Sequence, residues 1–192
     1  MKKTVFAILT LTIVAVFILS PISYAQPYGK GLYGITKYGS QTSLTINTNG
    51  NITIPNITPT QSGTLGTGAS IVTVGSTDVM GYKLYISAYP NIYMNNLGYH
   101  IQPSANTYTY PTGVSTIPSG TSLEVNHWGF NTDGGTNFAG LTSTSLDNLI
   151  YSTTAPTSGH NTTVTYGLNV NLATPAGQYT AQVIYTAVPQ TD

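Results

Sequence analysis

The chain has no cysteine and no arginine, and it carries few charges of either sign. Without cysteine there is no disulfide and no thiolate metal site, so stability depends on sheet hydrogen bonding and apolar burial. Five lysines stand against five acidic residues. Phosphate binding requires clustered cations, so nucleic acid is not an expected partner. The low charge also weakens the repulsion that discourages self-association.

The N-terminus has the pattern of a secretory signal peptide. Lys2 and Lys3 precede the apolar run Val5–Leu19, and Ser23 and Ala25 suit the −3 and −1 positions of a cleavage site. The run is shorter than the roughly 20 apolar residues of a spanning helix, so a retained anchor is the weaker alternative. We predict cleavage directly after Ala25, membrane contact only during export, and a secreted, cell-surface protein.

The remaining chain alternates with a period of two between glycine, proline and asparagine, which is typical of strands. The clearest strand is Asn161–Asn171, with Val164, Tyr166, Leu168 and Val170 on one face. A second strand is Gln178–Val188, and we expect both strands to be central in their sheets. The other candidates are Leu44–Asn47, Asn51–Ile54, Ser70–Val74, Gly81–Ala88, Leu123–Phe130 and Leu149–Ser152.

These segments predict an all-β protein, an immunoglobulin-like β-sandwich of about seven to nine antiparallel strands behind the signal peptide. A barrel is the main alternative. We divide the chain into a signal peptide over residues 1–25, a flexible arm over 26–40 and one domain over 41–192. The aromatic residues expected in the core are Trp128, Tyr166, Tyr179 and Tyr185. An exposed tryptophan for sugar stacking is the alternative for the first of these.

The arm Gln26–Ser40 mixes glycine with large hydrophobic residues, among them Tyr28, Tyr33 and Tyr38. Such a segment forms no strong local element, yet it can dock on a sheet edge by adding a strand. In a self-assembling protein it would be the donated strand. A disordered linker, or a first strand folded onto its own domain, is the alternative.

Fifteen tyrosines against four phenylalanines is an unusual ratio. Tyrosine combines a flat apolar ring with a hydroxyl, which suits protein interfaces and carbohydrate stacking. The segment Tyr89–Tyr99 carries Tyr89, Tyr93 and Tyr99 and is the best candidate for a binding loop. A loop that only connects two strands is the alternative.

Groups for catalysis are scarce and follow no known motif. The segment Phe130–Phe138 resembles a calcium loop in its alternating oxygen-bearing residues, but a single carboxylate favours a polar turn. We therefore predict no enzyme, no metal and no cofactor. The titratable candidates are His100, His127, His160, Asp78, Glu124, Asp133 and Asp147. The sequons at Asn51, Asn56 and Asn161 matter only in a host that glycosylates exported proteins.

Several segments together resemble secreted single-domain surface proteins of small-genome bacteria of the candidate phyla radiation. They are Gly81–Leu84, Trp128–Phe130, Thr162–Val170 and Pro175–Thr180, which lie within Ile71–Val188. The resemblance implies an immunoglobulin-like sandwich at the cell surface without catalytic residues. More distantly the chain is similar to WxL-type domains, although Trp128–Phe130 departs from Trp-x-Leu, and to donor-strand filament subunits.

The function expected from the sequence is that of a non-catalytic structural or adhesive surface protein. Its partners would be further copies of itself, joined through the arm, or surface glycans and proteins. An extracellular carbohydrate-binding module is the alternative.

Overall fold

The computed structural model describes residues 42–78 and 80–190, which form strands and turns and contain no helix. All of them fall within one compact unit. The all-β prediction is confirmed. The eleven strands of this part of the chain are β1 (Leu44–Thr48), β2 (Thr64–Ser76), β3 (Tyr82–Tyr89), β4 (Met94–Asn96), β5 (Tyr99–Pro103), β6 (Thr107–Thr109), β7 (Gly113–Ser115), β8 (His127–Asn131), β9 (Asn148–Thr153), β10 (Thr157–Val170) and β11 (Gln182–Pro189).

The strands form a six-stranded sheet of order β1-β2-β10-β8-β5-β4, a three-stranded sheet of order β11-β3-β9, and the hairpin β6-β7. The two larger sheets face each other as in a β-sandwich, and the six-stranded sheet curls into a half-barrel. Two details differ from the prediction. There are more than nine strands, because several are only three residues long, and β5 pairs with β8 in parallel at Gln102 and Pro103.

The long antiparallel pair of β2 and β10 is the centre of the large sheet. Its register runs from Ser76 opposite Thr157 to Thr64 opposite Val170, with a bulge between Thr157 and His160. The alternation predicted for Asn161–Asn171 is confirmed, because Val164, Tyr166, Leu168 and Val170 are all buried. The strand begins earlier than predicted, at Thr157.

The core lies between this sheet and β3, where Tyr82, Leu84, Ile86 and Ala88 are fully buried. They pack with Val72 and Val74 of β2, Val164 of β10 and Ile150 of β9. Full burial of one such aliphatic or aromatic side chain contributes about 1.5–3 kcal/mol. These contacts therefore hold the two sheets face to face.

The segment around Phe138 covers the outer face of the large sheet at one place. Phe138 is 1 % exposed although it lies outside the main core. A Cβ on Gly167 would meet its ring at 2.8 Å, and a Cβ on Gly129 would meet the Ala139 carbonyl at 2.4 Å. The two glycines therefore make room for the segment that crosses above β8 and β10, and Leu123 is buried there as well.

The prediction that the C-terminal strand is central was wrong. β11 is the edge strand of the small sheet, and it begins at Gln182, four residues later than predicted. Its burial alternates only partly, with Val183 and Tyr185 half-buried. Alternation of apolar and polar residues indicates only that one face of a strand is covered. This is true of edge strands as well as central strands.

The strand predicted at Asn51–Ile54 was also wrong. This segment pairs with no strand in the described part of the chain. Ile52, Ile54 and Ile57 instead lie on the inner face of β2, above Gly66 and Gly68. A Cβ on Gly66 would approach Ile57 to 2.5 Å, so the isoleucines fill the space that the missing side chains leave.

Candidate functional site

The loop Tyr89–Tyr99 surrounds a shallow pocket of about 250 Å³ at one end of the sandwich. The turn before β11 closes its other side, because the backbone N–H of Asn95 donates to the Thr180 carbonyl at 2.8 Å. Thr180 donates back to the Asn95 carbonyl at 3.1 Å. The pocket is lined by Tyr89, Pro90, Asn91, Tyr93, Asn95, Thr180, Ala181 and Gln182.

The three tyrosines predicted in this loop take different places. Tyr89 is 56 % exposed and lines the pocket together with Tyr93, whose ring tilts over His100 at 5.7 Å between centroids. Tyr99 packs against the core and meets Tyr179 edge-on at 6.1 Å. The predicted residues Tyr28, Tyr33 and Tyr38 lie outside the described residues.

The Asn91 and Asn95 amides of the pocket already bond to each other. The Asn91 Oδ1 accepts from the Tyr93 N–H at 3.1 Å and from the Asn95 amide at 3.3 Å. The Asn95 amide also donates to the Tyr93 carbonyl, and its oxygen bonds to a His100 ring nitrogen. These bonds fix the loop and leave the Tyr89 ring and the exposed Gln182 side chain facing solvent at the pocket. The pocket therefore offers one exposed aromatic ring beside one exposed amide.

Trp128 supports this loop from below. Its side chain is 2 % exposed, and its indole N–H donates to the Ile92 carbonyl at 2.9 Å. A buried indole cannot stack on a sugar at the surface. The structure therefore places Trp128 in the core and excludes the alternative in which it forms a sugar platform.

Two of the other residues predicted for the core join the two sheets. Tyr166 on β10 is 7 % exposed, and its hydroxyl bonds to that of the half-buried Tyr185 on β11. Burial raises the pKa of both phenols, so the pair stays neutral. Tyr179 is half-buried beside the core, and its hydroxyl donates to the Pro175 carbonyl at 2.7 Å.

The acidic side chains act in local structure. Glu124 accepts from the Ser104 hydroxyl at 2.7 Å and from the Ala105 N–H at 2.9 Å. Burial acts to raise the pKa of this carboxyl, but the hydrogen bonds outweigh it and lower the pKa. Among the described residues no three His, Asp or Glu side chains are grouped as metal ligands would be.

The segment that resembles a calcium loop is a hydrogen-bonded turn. Asp133 accepts from the Gly135 N–H at 2.9 Å, which makes an Asx-type turn. The Asn131 amide donates to the carbonyls of Gly135 and Asn137, both at 3.0 Å. Two carbonyls that could serve as ligands are thus occupied, and the turn connects β8 to Phe138.

An aromatic cluster that sequence analysis missed lies at the opposite strand ends. Tyr151 stacks on His160 with 3.8 Å between centroids and 14° between planes. Its other faces contact Tyr82 at 5.7 Å and Tyr110 at 6.2 Å. Burial lowers the pKa of His160. His160 shares a face with Val164 and Tyr166 along β10, so the period-two pattern was the signal that could have placed it inside.

We expect the stacked histidine to make stability depend on pH. Because the pKa of His160 is lower in the folded chain than the ordinary value of about 6.5, the unfolded chain binds a proton first as the pH falls. Stability is therefore complete above about pH 6.5 and declines as the pH falls through the folded-state pKa. Urea unfolding between pH 7 and pH 5 measures this decline.

The matched variant His160→Phe keeps a ring against Tyr151 but cannot take up a proton. Its urea midpoint is expected to change less than that of the parent chain over the same pH range. The decline should persist in His100→Gln, because the side chain of His100 is exposed on β5. Equal pH dependence in the parent chain and in His160→Phe would refute the assignment.

Comparisons with known proteins add no relative. No family model matches the chain, and neither a curated protein nor a solved structure matches it. The described residues also form no helix long and apolar enough to cross a membrane. A functional proposal therefore has to rest on the geometry of the chain itself.

Proposed function

We propose that this protein is a non-catalytic, exported structural or adhesive protein of the cell surface that associates with copies of itself. The observation that carries the proposal is an unpaired stretch along the outer edge of β2. β1 pairs only with Val72–Ser76 of that strand, whereas β10 pairs with it along its whole length. Within residues 42–78 and 80–190, this edge therefore has no strand partner from Thr64 to Ala69.

The side chain of Asn49 marks the boundary between the paired and the unpaired part of this edge. Asn49 follows β1, and its side-chain oxygen accepts the Ile71 N–H at 3.1 Å and the Ser70 hydroxyl at 2.9 Å. This side chain takes the place of the next residue of β1, so the ladder cannot continue. From Ile71 toward Thr64, the backbone groups on that side of β2 have no strand partner in residues 42–78 and 80–190.

The edge also lacks the features that usually prevent strand addition. Natural proteins protect their edges with lysine, proline, bulges or inward charges. Residues 42–77 contain no charged side chain, and the free part of β2 contains no proline. Leu65 and Ile71 are 43 % and 44 % exposed on its outer face. The edge is thus uncharged and free of proline, with the segment Pro55–Thr58 on its inner side and exposed apolar groups on its outer side, which favours pairing with another chain.

A carbohydrate-binding module is the second candidate, and the pocket at Tyr89 is the observation that favours it. An exposed ring beside amide groups is the usual composition of a sugar site. Here the Asn91 and Asn95 amides are bonded to each other and Trp128 is buried, so Tyr89 and the exposed Gln182 side chain are left to contact a sugar. Isothermal titration calorimetry of glycans with the chain and with Tyr89→Ala would detect such binding.

The proposal predicts that self-association needs the arm Gln26–Ser40. The chain from Gln26 is expected to form oligomers or filaments, whereas the chain from Gln41 remains monomeric at the same concentration. The reason is that backbone pairing along a free edge requires a strand that belongs to no other ladder. Light scattering after size-exclusion chromatography and negative-stain microscopy measure the difference.

Circular dichroism of the shortened chain is the control, because a β spectrum like that of the longer chain shows that the domain still folds. Monomers from both chains at high concentration would contradict self-association. Oligomers of equal size from both would show that the arm is not the joining element.

The proposal includes an immunoglobulin-like topology for the two layers. In its support, β10 and β11 are consecutive strands that lie in opposite sheets, so the chain crosses between layers as it does in such sandwiches. The parallel pairing of β5 with β8 is an addition to that plan. Secretion and the signal peptide stay predictions, since residues 1–41 lie outside the described residues.

A further inference from the structure

We infer that the free edge of β2 and the groove beside it form the acceptor site for the arm of a second copy, with Tyr33 and Ile35 entering the groove. This inference rests on the proposed function, because it names the partner surface in self-association. The occupant is the segment Leu32–Lys37 of a neighbouring chain, added to the large sheet as a further strand.

A groove of about 360 Å³ runs along this edge. One wall is the start of β2, Thr64–Thr67, and the other is the segment Pro55–Thr58. Ile57 lies at its base above Gly66. An added strand would place every second side chain on the inner face, toward this wall. The site thus combines a backbone template with a recess for alternate side chains, which are the two requirements of strand addition.

The register of β2 defines which backbone groups are offered. The N–H groups of Ile71 and Thr77 point to the β1 side, toward Asn49 and Ser43. Because the direction alternates along a strand, Leu65, Thr67 and Ala69 point to the same side. Their N–H and C=O groups form a row that can pair with an incoming strand. Their side chains are exposed on the outer face.

A chain cannot easily fill its own groove, because its arm joins the domain at the far end of β2. Ser43 donates its N–H to the Thr77 hydroxyl, and Thr77 donates its N–H to the Ser43 carbonyl. Thr77 is ten residues from Thr67, which is about 33 Å along a strand. β1 occupies the edge between them. A neighbouring chain meets no such obstacle.

The arm suits the groove better than the β2 edge of a second copy would. If two β2 edges paired, the residues facing the groove would be Gly66 and Gly68, which have no side chains to fill it. In the arm, Tyr33 and Ile35 alternate with Gly34 and Thr36. A strand with Tyr33 and Ile35 inward therefore fills the recess and places small residues on the outer face.

The arrangement would join copies head to tail. Donor and acceptor lie at opposite ends of β2, so each added copy offers a new free groove. Such a heterologous contact forms open chains unless its rotation closes a ring.

The test uses engineered cysteines, for which a chain without cysteine gives a clean background. The donor is the chain from Gln26 with Gly34→Cys. The acceptors are chains from Gln41 with Leu65→Cys, Thr67→Cys or Ala69→Cys. Directly opposed residues of paired strands have Cα atoms about 4.5–5.5 Å apart, within the range of a disulfide. Mild oxidation is expected to give a covalent donor–acceptor dimer with at least one acceptor, detected by mass.

The matched control acceptor carries Thr163→Cys. Thr163 is exposed on the same outer face but on β10, opposite Ile71. It lies one strand further from the docking edge, so its Cα would be about 9.6 Å or more from the added strand, beyond the reach of a disulfide. Equal cross-linking at Thr163 would overturn the inference. Oligomers of the chain from Gln26 without any cross-link at the β2 positions would also overturn it while leaving self-association intact.

Thr67→Pro in the chain from Gln26 gives a second readout. Its N–H faces the free edge, so proline removes a group that the native ladder does not use and blocks strand addition. Association is expected to weaken at least tenfold, with an unchanged β spectrum. If this variant does not fold, the cross-linking result decides. A chain from Gln26 that is monomeric before any substitution would refute the proposed function itself.

Discussion

Replacing Gly81 with alanine is expected to remove a large share of the domain's stability. Gly81 has a φ of +77°, in the left-handed region that side chains disfavour by about 1–2 kcal/mol. An added Cβ would also lie 1.9 Å from the Thr153 carbonyl oxygen and 2.9 Å from the Ala155 nitrogen. Both neighbours are backbone atoms, so no side-chain rotation can relieve the overlap.

The position matters because three strand ends meet at Gly81. Its N–H donates to the Asp78 carbonyl at 3.0 Å, and its own carbonyl accepts from the Gln190 N–H at 3.0 Å. The Gln190 side chain in turn donates to the Thr153 carbonyl at 2.6 Å. Displacing Thr153 therefore disturbs the ends of β3, β9 and β11 together. We expect a loss of about 4 kcal/mol or more, in a domain whose total stability is of the order of 5–15 kcal/mol.

Gly98→Ala is the matched control. Gly98 has a φ of +90°, but an added Cβ would meet nothing within 4 Å. Its cost should be the conformational one of about 1–2 kcal/mol alone. Comparing the free energies of unfolding of the two variants in urea separates the cost of the left-handed backbone from the cost of the overlap with Thr153. Equal destabilisation would show that Thr153 moves aside at little cost and that the carbonyl contact is unimportant.

The strands that could be predicted from sequence are those with one face buried in the core and the other exposed. Every second residue of β3 from Tyr82 to Ala88 and of β10 from Val164 to Val170 is buried, because these parts of the strands face the same core. Burial of Trp128 could be predicted as well, since a large aromatic side chain contributes most when it is buried. In these segments local pattern and tertiary environment agree.

The features that sequence analysis missed depend on contacts between distant residues. Ile52 and Ile54 alternate as a strand would, but Gly66 and Gly68 let them lie flat on the sheet without joining it. The edge position of β11 depends on how many strands the small sheet contains, and no property of Gln182–Pro189 encodes that number. The parallel pairing of β5 likewise arises from long-range topology.

The candidate site was predicted in part. An exposed Tyr89 follows from a tyrosine-rich loop bounded by proline, but the pairing of its amides depends on the turn at Thr180. The free edge of β2 could not be predicted, because it exists only where Asn49 ends β1 beside Ile71. One asparagine side chain thus determines how much of the sheet remains open for another chain.

Trp128→Ala is expected to destabilise the domain by about 3–5 kcal/mol, the usual cost of deleting a buried large aromatic ring. The residue is 2 % exposed and packs in the core cluster. The substitution also leaves the Ile92 carbonyl without its 2.9 Å donor, so the loop Tyr89–Tyr99 loses its support. For a domain of this size the thermal midpoint should fall by roughly 10 °C. Differential scanning calorimetry measures it.

Trp128→Phe separates packing from the loop contact. Phenylalanine keeps a buried aromatic ring but has no N–H. The loss of stability should therefore be smaller than in Trp128→Ala and concentrated in the loop. Hydrogen exchange in Trp128→Phe is therefore expected to quicken at the amides of residues 91–96 while those of β10 stay protected. Uniform quickening across both regions would show that the indole acts only through core volume and that its hydrogen bond to Ile92 does not hold the loop.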